Sequence, residues 1–116
     1  GSNYNTKDGT CIRDYIHVSD ISQIHIKVLK KIHTEKKSII LNCGYGIGIS
    51  VMDAVKEFKK QIKKKIKISL KKQRKGDMEH IIANNNKIKK YLKRFPKKNN
   101  LSRIVKSCIN WEKKLK

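Results

Sequence analysis

Two pairs of residues in this chain have side-chain types that can recognise a phosphate or a ribose. The first pair is Arg13 and Tyr15, which lie two positions apart and so share one face of an extended segment. A guanidinium can bind a phosphate through two hydrogen bonds, and a phenol hydroxyl can add another. The alternative is structural, because Arg13 could equally pair with Asp14 or pack within a strand.

The second pair lies in the sequence Arg74-Lys75-Gly76-Asp77, where a cation and a carboxylate are three residues apart around a glycine. Arg74 would neutralise a phosphate. Asp77 would accept hydrogen bonds from ribose hydroxyls. Polar loops of this kind are common, however, and the alternative is a solvated turn whose ion pair contributes little to stability.

A glycine-rich stretch, Gly44-Tyr45-Gly46-Ile47-Gly48, could be mistaken for a dinucleotide-binding loop. Such loops follow a strand and begin a helix, so that backbone amides can approach a pyrophosphate. Here the spacing is GxGxG rather than GxGxxG, and no acidic residue follows about 20 positions later. We therefore interpret the stretch as a tight connection rather than a cofactor site.

The cysteines and histidines indicate no metal site and no nucleophile. Cys11, Cys43 and Cys108 are widely spaced and form no CxxC pair, which argues against a disulfide scaffold or a zinc site. Reduced thiols favour a cytoplasmic location. The sequence has no apolar run long enough to cross a membrane and no signal peptide. We predict no catalytic residue, no metal and no membrane partner.

The net charge of +21 is extreme for 116 residues, and most of it lies after residue 50. Such a surface attracts polyanions without selectivity, so a basic nucleic-acid-binding module is the alternative function. The chain lacks the interleaved aromatic residues on which bases stack. We favour lysines on solvated helix faces over a dedicated polyanion site.

Hydrophobic periodicity predicts a small α/β fold. Four helices are expected, the first capped by Ser19 or Asp20 and the second by Ser50. The third follows Asn84 or Asn85, and the fourth starts near Asn100. Its inward residues are predicted to be Leu101, Ile104, Val105, Cys108 and Trp111. Strands are predicted at 13–18, 38–43, 65–70 and 81–83. Residues 1–2 are interpreted as a cloning remnant and residues 3–116 as one domain.

The segment Asp8-Gly9-Thr10-Cys11-Ile12-Arg13-Asp14-Tyr15-Ile16-His17-Val18 closely resembles a segment of the UDP-glucose 4-epimerase family of extended short-chain dehydrogenases. Weaker resemblances follow in the family's order along the chain: Leu41-Asn42-x-Gly-x-Gly with Ser50-Val51, Arg74-x-Gly76-Asp77, and Ile109-Asn110-Trp111. The resemblance extends from about Tyr4 to Trp111. It implies the small C-terminal substrate domain of such an enzyme, with short strands, about four helices and no complete Rossmann domain.

The resemblance also implies a UDP-sugar site. Arg13 and Arg74 would face the diphosphate, Asp77 the ribose, and Tyr15 and Val51 would line the pocket. Two positions depart from the family pattern. Ile81 stands where the family often has a tyrosine that contacts the sugar, and Gln73 stands where a basic residue often precedes the arginine.

In the family, bound NAD takes a hydride from the sugar and returns it to the other face, which interconverts UDP-glucose and UDP-galactose in galactose metabolism. That chemistry requires a Tyr-x-x-x-Lys pair and a glycine-rich nicotinamide fold, neither of which this sequence contains. The chain alone is therefore expected to bind no cofactor and to be inactive. Its expected partners are a UDP-sugar and a missing N-terminal Rossmann domain, in a family whose members are often homodimers. The same domain from another nucleotide-sugar decarboxylase or dehydratase is a further alternative.

Overall fold

The structure, a computed structural model, describes residues 1–62, 65–93, 95–96 and 100–115. The chain divides into two units, each assembled from separate stretches. The first unit comprises Gly1–Arg13, Gly48–Ile81 and Asn100–Lys116. The second comprises Asp14–Ile47 and Ile82–Asn99. Both units are therefore built from residues far apart in the sequence.

Seven elements are present in the described residues. The three strands are two residues long: β1 (Ile12–Arg13), β2 (Ile49–Ser50) and β3 (His80–Ile81). The four helices are α1 (Val18–Glu35), α2 (Val51–Ile62), α3 (Asn86–Leu92) and α4 (Leu101–Lys114). The predicted class, an α/β fold with short strands and about four helices, is confirmed.

The first unit is a small sheet with two helices. β1 lies at the centre, antiparallel to β2 and parallel to β3, with Arg13 opposite both Ile49 and Ile81. Helices α2 and α4 pack against each other, and their most buried residues are Ala54 and Val105. Because β1 is the central strand, a side chain on it can reach the loops that flank both of its neighbours.

The second unit contains α1 and α3. Ile24 and Ile88 are its fully buried aliphatic residues. The Lys31 ammonium lies 4.0 Å from the centroid of the Tyr91 ring and donates a 2.6 Å hydrogen bond to the Tyr91 carbonyl. These contacts join the two helices through side chains whose polar ends remain near solvent.

The strand predictions are only partly correct. Of the first predicted strand, 13–18, only Arg13 pairs, as part of β1, and β2 lies where a helix cap alone was expected. The structure assigns no strand to 65–70, where the alternation of lysine with apolar residues leaves nearly every side chain exposed. A strand needs a hydrogen-bonded neighbour as well as a period of two, and sequence alternation reports only the period.

The predicted strand at 38–43 is also wrong, for a different reason. Ile39, Leu41 and Cys43 are half-buried and alternate with Ile40 and Asn42, which are exposed, as in an extended chain. Among the described residues, none forms strand hydrogen bonds with this segment. The inward side chains instead form an apolar groove of about 270 Å³ with Ile24, His25, Val28, Leu29 and Ile32 of α1. The segment was recognised as apolar, but it packs on a helix.

Helix positions are closer to prediction than helix faces. The cap of helix α1 is His17, two residues before Ser19 and three before Asp20, and its imidazole accepts the Ser19 amide at 3.1 Å. In α4, Cys108 is exposed and Trp111 is 62% exposed, although both were expected to face inward. The buried face of α4 is centred on Val105, one to two turns before Trp111.

No helix in the described part of the chain is long and apolar enough to cross a membrane.

Candidate functional site

Arg13 lies on β1, the central strand of the first unit, and its guanidinium donates several hydrogen bonds. One guanidinium nitrogen, Nη1, donates to the backbone carbonyls of Ile12 and Met78 at 2.8 and 2.9 Å, and more loosely to that of Glu79 at 3.4 Å. The other, Nη2, lies 2.6 Å from Oδ1 of Asp77. A guanidinium carries five N–H donors, so these contacts leave some for a further acceptor.

A tight turn brings Arg74 and Asp77 together. The Asp77 amide donates to the Arg74 carbonyl at 3.2 Å, and Gly76 has φ of +79°. Glycine favours this backbone conformation because it has no Cβ, and its place as the third residue of the turn matches a type II turn. The Arg74 guanidinium lies 3.7 Å from Oδ2 of Asp77, while its side chain is 86% exposed.

Asp77 is thus the centre of a polar cluster on the first unit. Its side chain is 14% exposed and lies between two guanidinium groups. Its second oxygen, Oδ2, accepts a 2.6 Å hydrogen bond from the Tyr4 hydroxyl. This hydrogen bond is the main cause that lowers the pKa of Asp77 below its ordinary value, and Arg13 and Arg74 act in the same direction. The carboxylate is therefore ionised at neutral pH.

Three of the five site residues predicted from sequence are in this cluster: Arg13, Arg74 and Asp77. Val51 belongs to the same unit, where its amide donates to the Cys11 carbonyl at 3.1 Å at the start of α2. Tyr15 belongs to the second unit, where its side chain is half-buried. The predicted structural alternative for Arg13 is partly correct, since its guanidinium does form an ion pair, but with Asp77 rather than Asp14.

Sequence reasoning missed Tyr4. It lies in a polar stretch at the start of the sequence, yet Tyr4 is only 5% exposed and reaches Asp77 across 73 positions of sequence. The available signal was its type: Tyr4 is the only large side chain with an apolar body in the first ten residues. An aromatic residue in a polar stretch near a chain terminus usually has a packing partner.

The N-terminus of α2 belongs to the same unit as this cluster, but its amides are already occupied. The Val51 amide donates to the Cys11 carbonyl, the Met52 amide to Thr10 Oγ1, and the Asp53 amide to Ser50 Oγ at 3.0 Å. Ser50 thus caps the helix as predicted. With three of the four orphan amides of the first turn satisfied internally, this helix end offers little to an incoming anion.

The two capping hydroxyls share one acceptor, Asp8. Its carboxylate accepts hydrogen bonds from the Thr10 amide and hydroxyl and from the Ser50 hydroxyl. The hydrogen bond from Ser50, followed by those from Thr10, lowers the pKa of Asp8 from 3.8 to about 2. Asp8 therefore orients both hydroxyls so that their lone pairs face the helix amides.

The glycine-rich stretch in the second unit binds a carboxylate of the chain itself. The Tyr45 amide donates to Oδ1 of Asp14 at 3.0 Å, and the Gly46 amide to Oδ2 at 2.8 Å. A Cβ on Gly44 would lie 2.3 Å from Asp14 Oδ2 and 2.6 Å from the Ala83 side chain. The side-chain amide of Asn85 closes the loop by donating from Nδ2 to the Gly44 carbonyl at 2.9 Å.

This arrangement does not fit the pyrophosphate of a nicotinamide cofactor. The amides that would approach the phosphates already donate to Asp14, and the space beside Gly44 is filled. The glycines are needed because the chain passes close to Asp14 and Ala83. Among the described residues, no group of three histidine, cysteine or acidic side chains could hold a metal ion.

Comparison with known proteins gives one consistent result. The chain is 37% identical over 115 residues to the UDP-glucose 4-epimerase of Azospirillum brasilense, an alignment that covers 99% of this chain and 33% of that protein. No protein-family model matches the chain. The chain thus spans about a third of the length of that relative.

Solved structures agree with the sequence match. The UDP-Glc/GlcNAc 4-epimerase of Campylobacter jejuni superposes with a TM-score of 0.84 and 41% identity, covering 98% of this chain and 34% of that chain. A UDP-glucose 4-epimerase from Bifidobacterium longum, solved in complex with NAD+ and UDP, has a TM-score of 0.86 and 32% identity, covering 98% of this chain and 33% of its own. The similarity is to the C-terminal region of these proteins.

Proposed function

We propose that this chain, which is similar to the C-terminal region of UDP-glucose 4-epimerases, forms the UDP-sugar-binding part of such an enzyme. The observation that carries the proposal is the cluster of Arg13, Arg74 and Asp77, because two cations and a carboxylate are the groups that a nucleoside diphosphate requires. In the whole protein the reaction would interconvert UDP-glucose and UDP-galactose. A cytoplasmic location would suit such an enzyme.

The exposure of Arg74 supports a division of roles within the proposed site. Arg74 is 86% exposed, so its guanidinium is free to turn toward a diphosphate, with Arg13 as the second cation. Asp77 would accept hydrogen bonds from the ribose hydroxyls. Val51 would contribute apolar surface to the nucleotide, and the role of Tyr15 stays a prediction from the sequence.

The hydride chemistry would belong to NAD held elsewhere in the complete protein, since the glycine-rich loop of this chain does not fit that cofactor. The similar Bifidobacterium longum protein was solved with both NAD+ and UDP, whereas this chain corresponds to 33% of it. The chain alone would orient the nucleotide and perform no turnover. Its partner would be an N-terminal nicotinamide-binding domain, and the complete enzyme would be a homodimer.

None of the comparisons favours the basic nucleic-acid-binding alternative. Charge alone explains any salt-sensitive binding of DNA, and such binding would disappear at high salt. A saturable complex with UDP that persists in 0.5 M salt, where the screening length is about 4 Å, would therefore distinguish the two functions.

The test is a titration of the chain with UDP in 0.5 M salt, followed by amide chemical shifts. We expect Arg74→Ala to weaken UDP binding by at least about fivefold, because it removes a charge-assisted contact to the diphosphate. Arg103→Ala is the matched control, an exposed arginine on α4 whose loss should change the affinity less than twofold. Absence of saturable binding in the wild type, or equal affinities for all three proteins, would contradict the proposal.

A further inference from the structure

The proposed function does not use the hydrogen bond between Tyr4 and Asp77 in the polar cluster. Tyr4 contributes a hydroxyl but no charge, and the residue is only 5% exposed. Its backbone is fixed as well: the Tyr4 amide donates to the Gly9 carbonyl at 3.0 Å, and the Tyr4 carbonyl accepts the Thr6 amide at 2.8 Å. The hydroxyl is therefore held rigidly against Asp77.

Tyr4 and Arg13 together determine the orientation of the Asp77 carboxylate. Arg13 Nη2 contacts Oδ1 at 2.6 Å, and the Tyr4 hydroxyl contacts Oδ2 at 2.6 Å. One donor on each oxygen fixes rotation about the bond to the carboxylate as well as its position. With only one of the two donors, the group could still rotate.

The two donors also leave the acceptor capacity that a ribose needs. A carboxylate oxygen can accept about two hydrogen bonds, so Tyr4 and Arg13 occupy roughly half of the capacity of Asp77. One acceptor position remains on each oxygen. Two neighbouring hydroxyls, as on the 2′ and 3′ carbons of a ribose, match that pair of positions.

Tyr4 has a second effect, on Arg74. The Arg74 guanidinium lies 3.7 Å from the same oxygen, Oδ2, that accepts the Tyr4 hydroxyl. This distance is longer than a hydrogen bond, so the two groups form only a loose ion pair. If the hydroxyl were absent, Arg74 could close on Oδ2 and would no longer be free to reach a diphosphate.

We propose that Tyr4 is a positioning residue of the nucleotide site, whose hydroxyl holds the Asp77 carboxylate in the orientation that accepts both ribose hydroxyls of UDP. This inference rests on the function proposed above. The hydrogen bond lowers the pKa of Asp77 and raises the pKa of Tyr4, as expected when a phenol donates to an ionised carboxylate.

The variant that tests this role is Tyr4→Phe, which keeps the buried ring and removes only the hydroxyl. We expect its affinity for UDP to fall about five- to tenfold, the order of one ordinary hydrogen bond, because a carboxylate that can rotate would bind the two ribose hydroxyls less well. Affinity for 2′,3′-dideoxy-UDP, which has no hydroxyl for Asp77 to bind, should change less. The variant would thus lose most of the wild-type preference for UDP over the dideoxy analogue.

Tyr91→Phe is the matched control, because the Tyr91 hydroxyl also donates to a carboxylate, that of Glu35 at 2.9 Å, but in the second unit. It should leave the affinity for both nucleotides unchanged. The carboxyl carbon signal of Asp77, titrated without nucleotide, gives an independent readout: its pKa should rise in Tyr4→Phe and not in Tyr91→Phe.

Several results would overturn the role of Tyr4 while leaving the proposed function intact. One is an unchanged UDP affinity in Tyr4→Phe, in a chain whose UDP binding still depends on Arg74. Another is an equal loss of affinity for UDP and the dideoxy analogue, which would indicate a general structural effect. An Asp77 titration that does not respond to removal of the hydroxyl would likewise exclude the positioning role.

Discussion

Three carboxylates organise most of the polar contacts described above. Asp8 accepts the hydroxyls that cap α2, Asp14 accepts the amides of the glycine-rich loop, and Asp77 accepts Tyr4 and Arg13. The chain has only 9 acidic residues against 30 lysines and arginines. At the scale of single residues, a scarce residue type thus marks the positions where separate segments of the chain are joined.

The cap on α2 predicts a pH dependence. The pKa of Asp8 is about 2 in the folded chain and near 3.8 when unfolded, so its ionised form stabilises the fold. A lowered folded pKa means that this stability is present above about pH 4 and is lost as the pH falls toward 2. Asp8→Asn should therefore reduce the dependence of the unfolding free energy on pH between 4 and 2.

At neutral pH, Asp8→Asn should also lower the free energy of unfolding by about 2 kcal/mol, because it disturbs hydrogen bonds to a charged acceptor. Asp53→Asn is the control: its exposed ion pair with Lys56 has a 3.3 Å separation and should contribute less than about 1 kcal/mol. Urea unfolding at several pH values measures both effects. Equal losses of stability in the two variants would show that Asp8 has no special role in the cap.

At the scale of elements, the glycine-rich loop is a packed connection. We predict that Gly44→Ala lowers the free energy of unfolding by about 3 kcal/mol, because its Cβ would overlap the Asp14 carboxylate and Ala83. Gly76→Ala is the contrast, since no atom lies within 4 Å of its Cβ and only its φ of +79° is unfavourable. That variant should cost about 1 kcal/mol. Thermal or urea unfolding gives both values, and a tolerated Gly44→Ala would contradict the close approach.

Sequence reasoning predicted the helices better than the strands for a physical reason. A helix satisfies its hydrogen bonds within one segment, so periodicity and caps such as Ser50 and Asn100 predict it locally. The strands β1, β2 and β3 form by hydrogen bonding to one another, and Ile12 of β1 pairs with Ser50 and His80, which are distant in the sequence. Two residues on each strand give no pattern that a sequence can reveal.

The contacts of the candidate site likewise include some that are local in sequence, which could be predicted, and some between distant residues, which could not. Arg74 and Asp77 are close in sequence, and the glycine between them predicted the turn that joins them. The contacts of Asp77 with Arg13 and Tyr4 span 64 and 73 positions, and no local pattern encodes them. Residue type and the family resemblance indicated Arg13, whereas the contact between Tyr4 and Asp77 could be found only from the packed structure.

At the scale of the whole molecule, the net charge of +21 opposes compaction. We predict that the melting temperature rises as sodium chloride increases from 10 to 150 mM, which shortens the screening length from about 30 to about 8 Å. A variant with Lys71→Glu and Lys72→Glu, two exposed positions in a loop, should show a weaker dependence on salt. A melting temperature that falls with salt would contradict dominance by charge repulsion.

The extended segment that packs on α1 has a consequence for the chain's colloidal behaviour. Ile40 is 85% exposed within an apolar run, and such runs are prone to form intermolecular β-aggregates. Lys36 and Lys37 lie three and two residues before Ile39, the first residue of the run, where like charges act as gatekeepers against aggregation. Salt screens the charge of these lysines and so weakens this protection against aggregation. The UDP titrations in 0.5 M salt should therefore be done at low protein concentration.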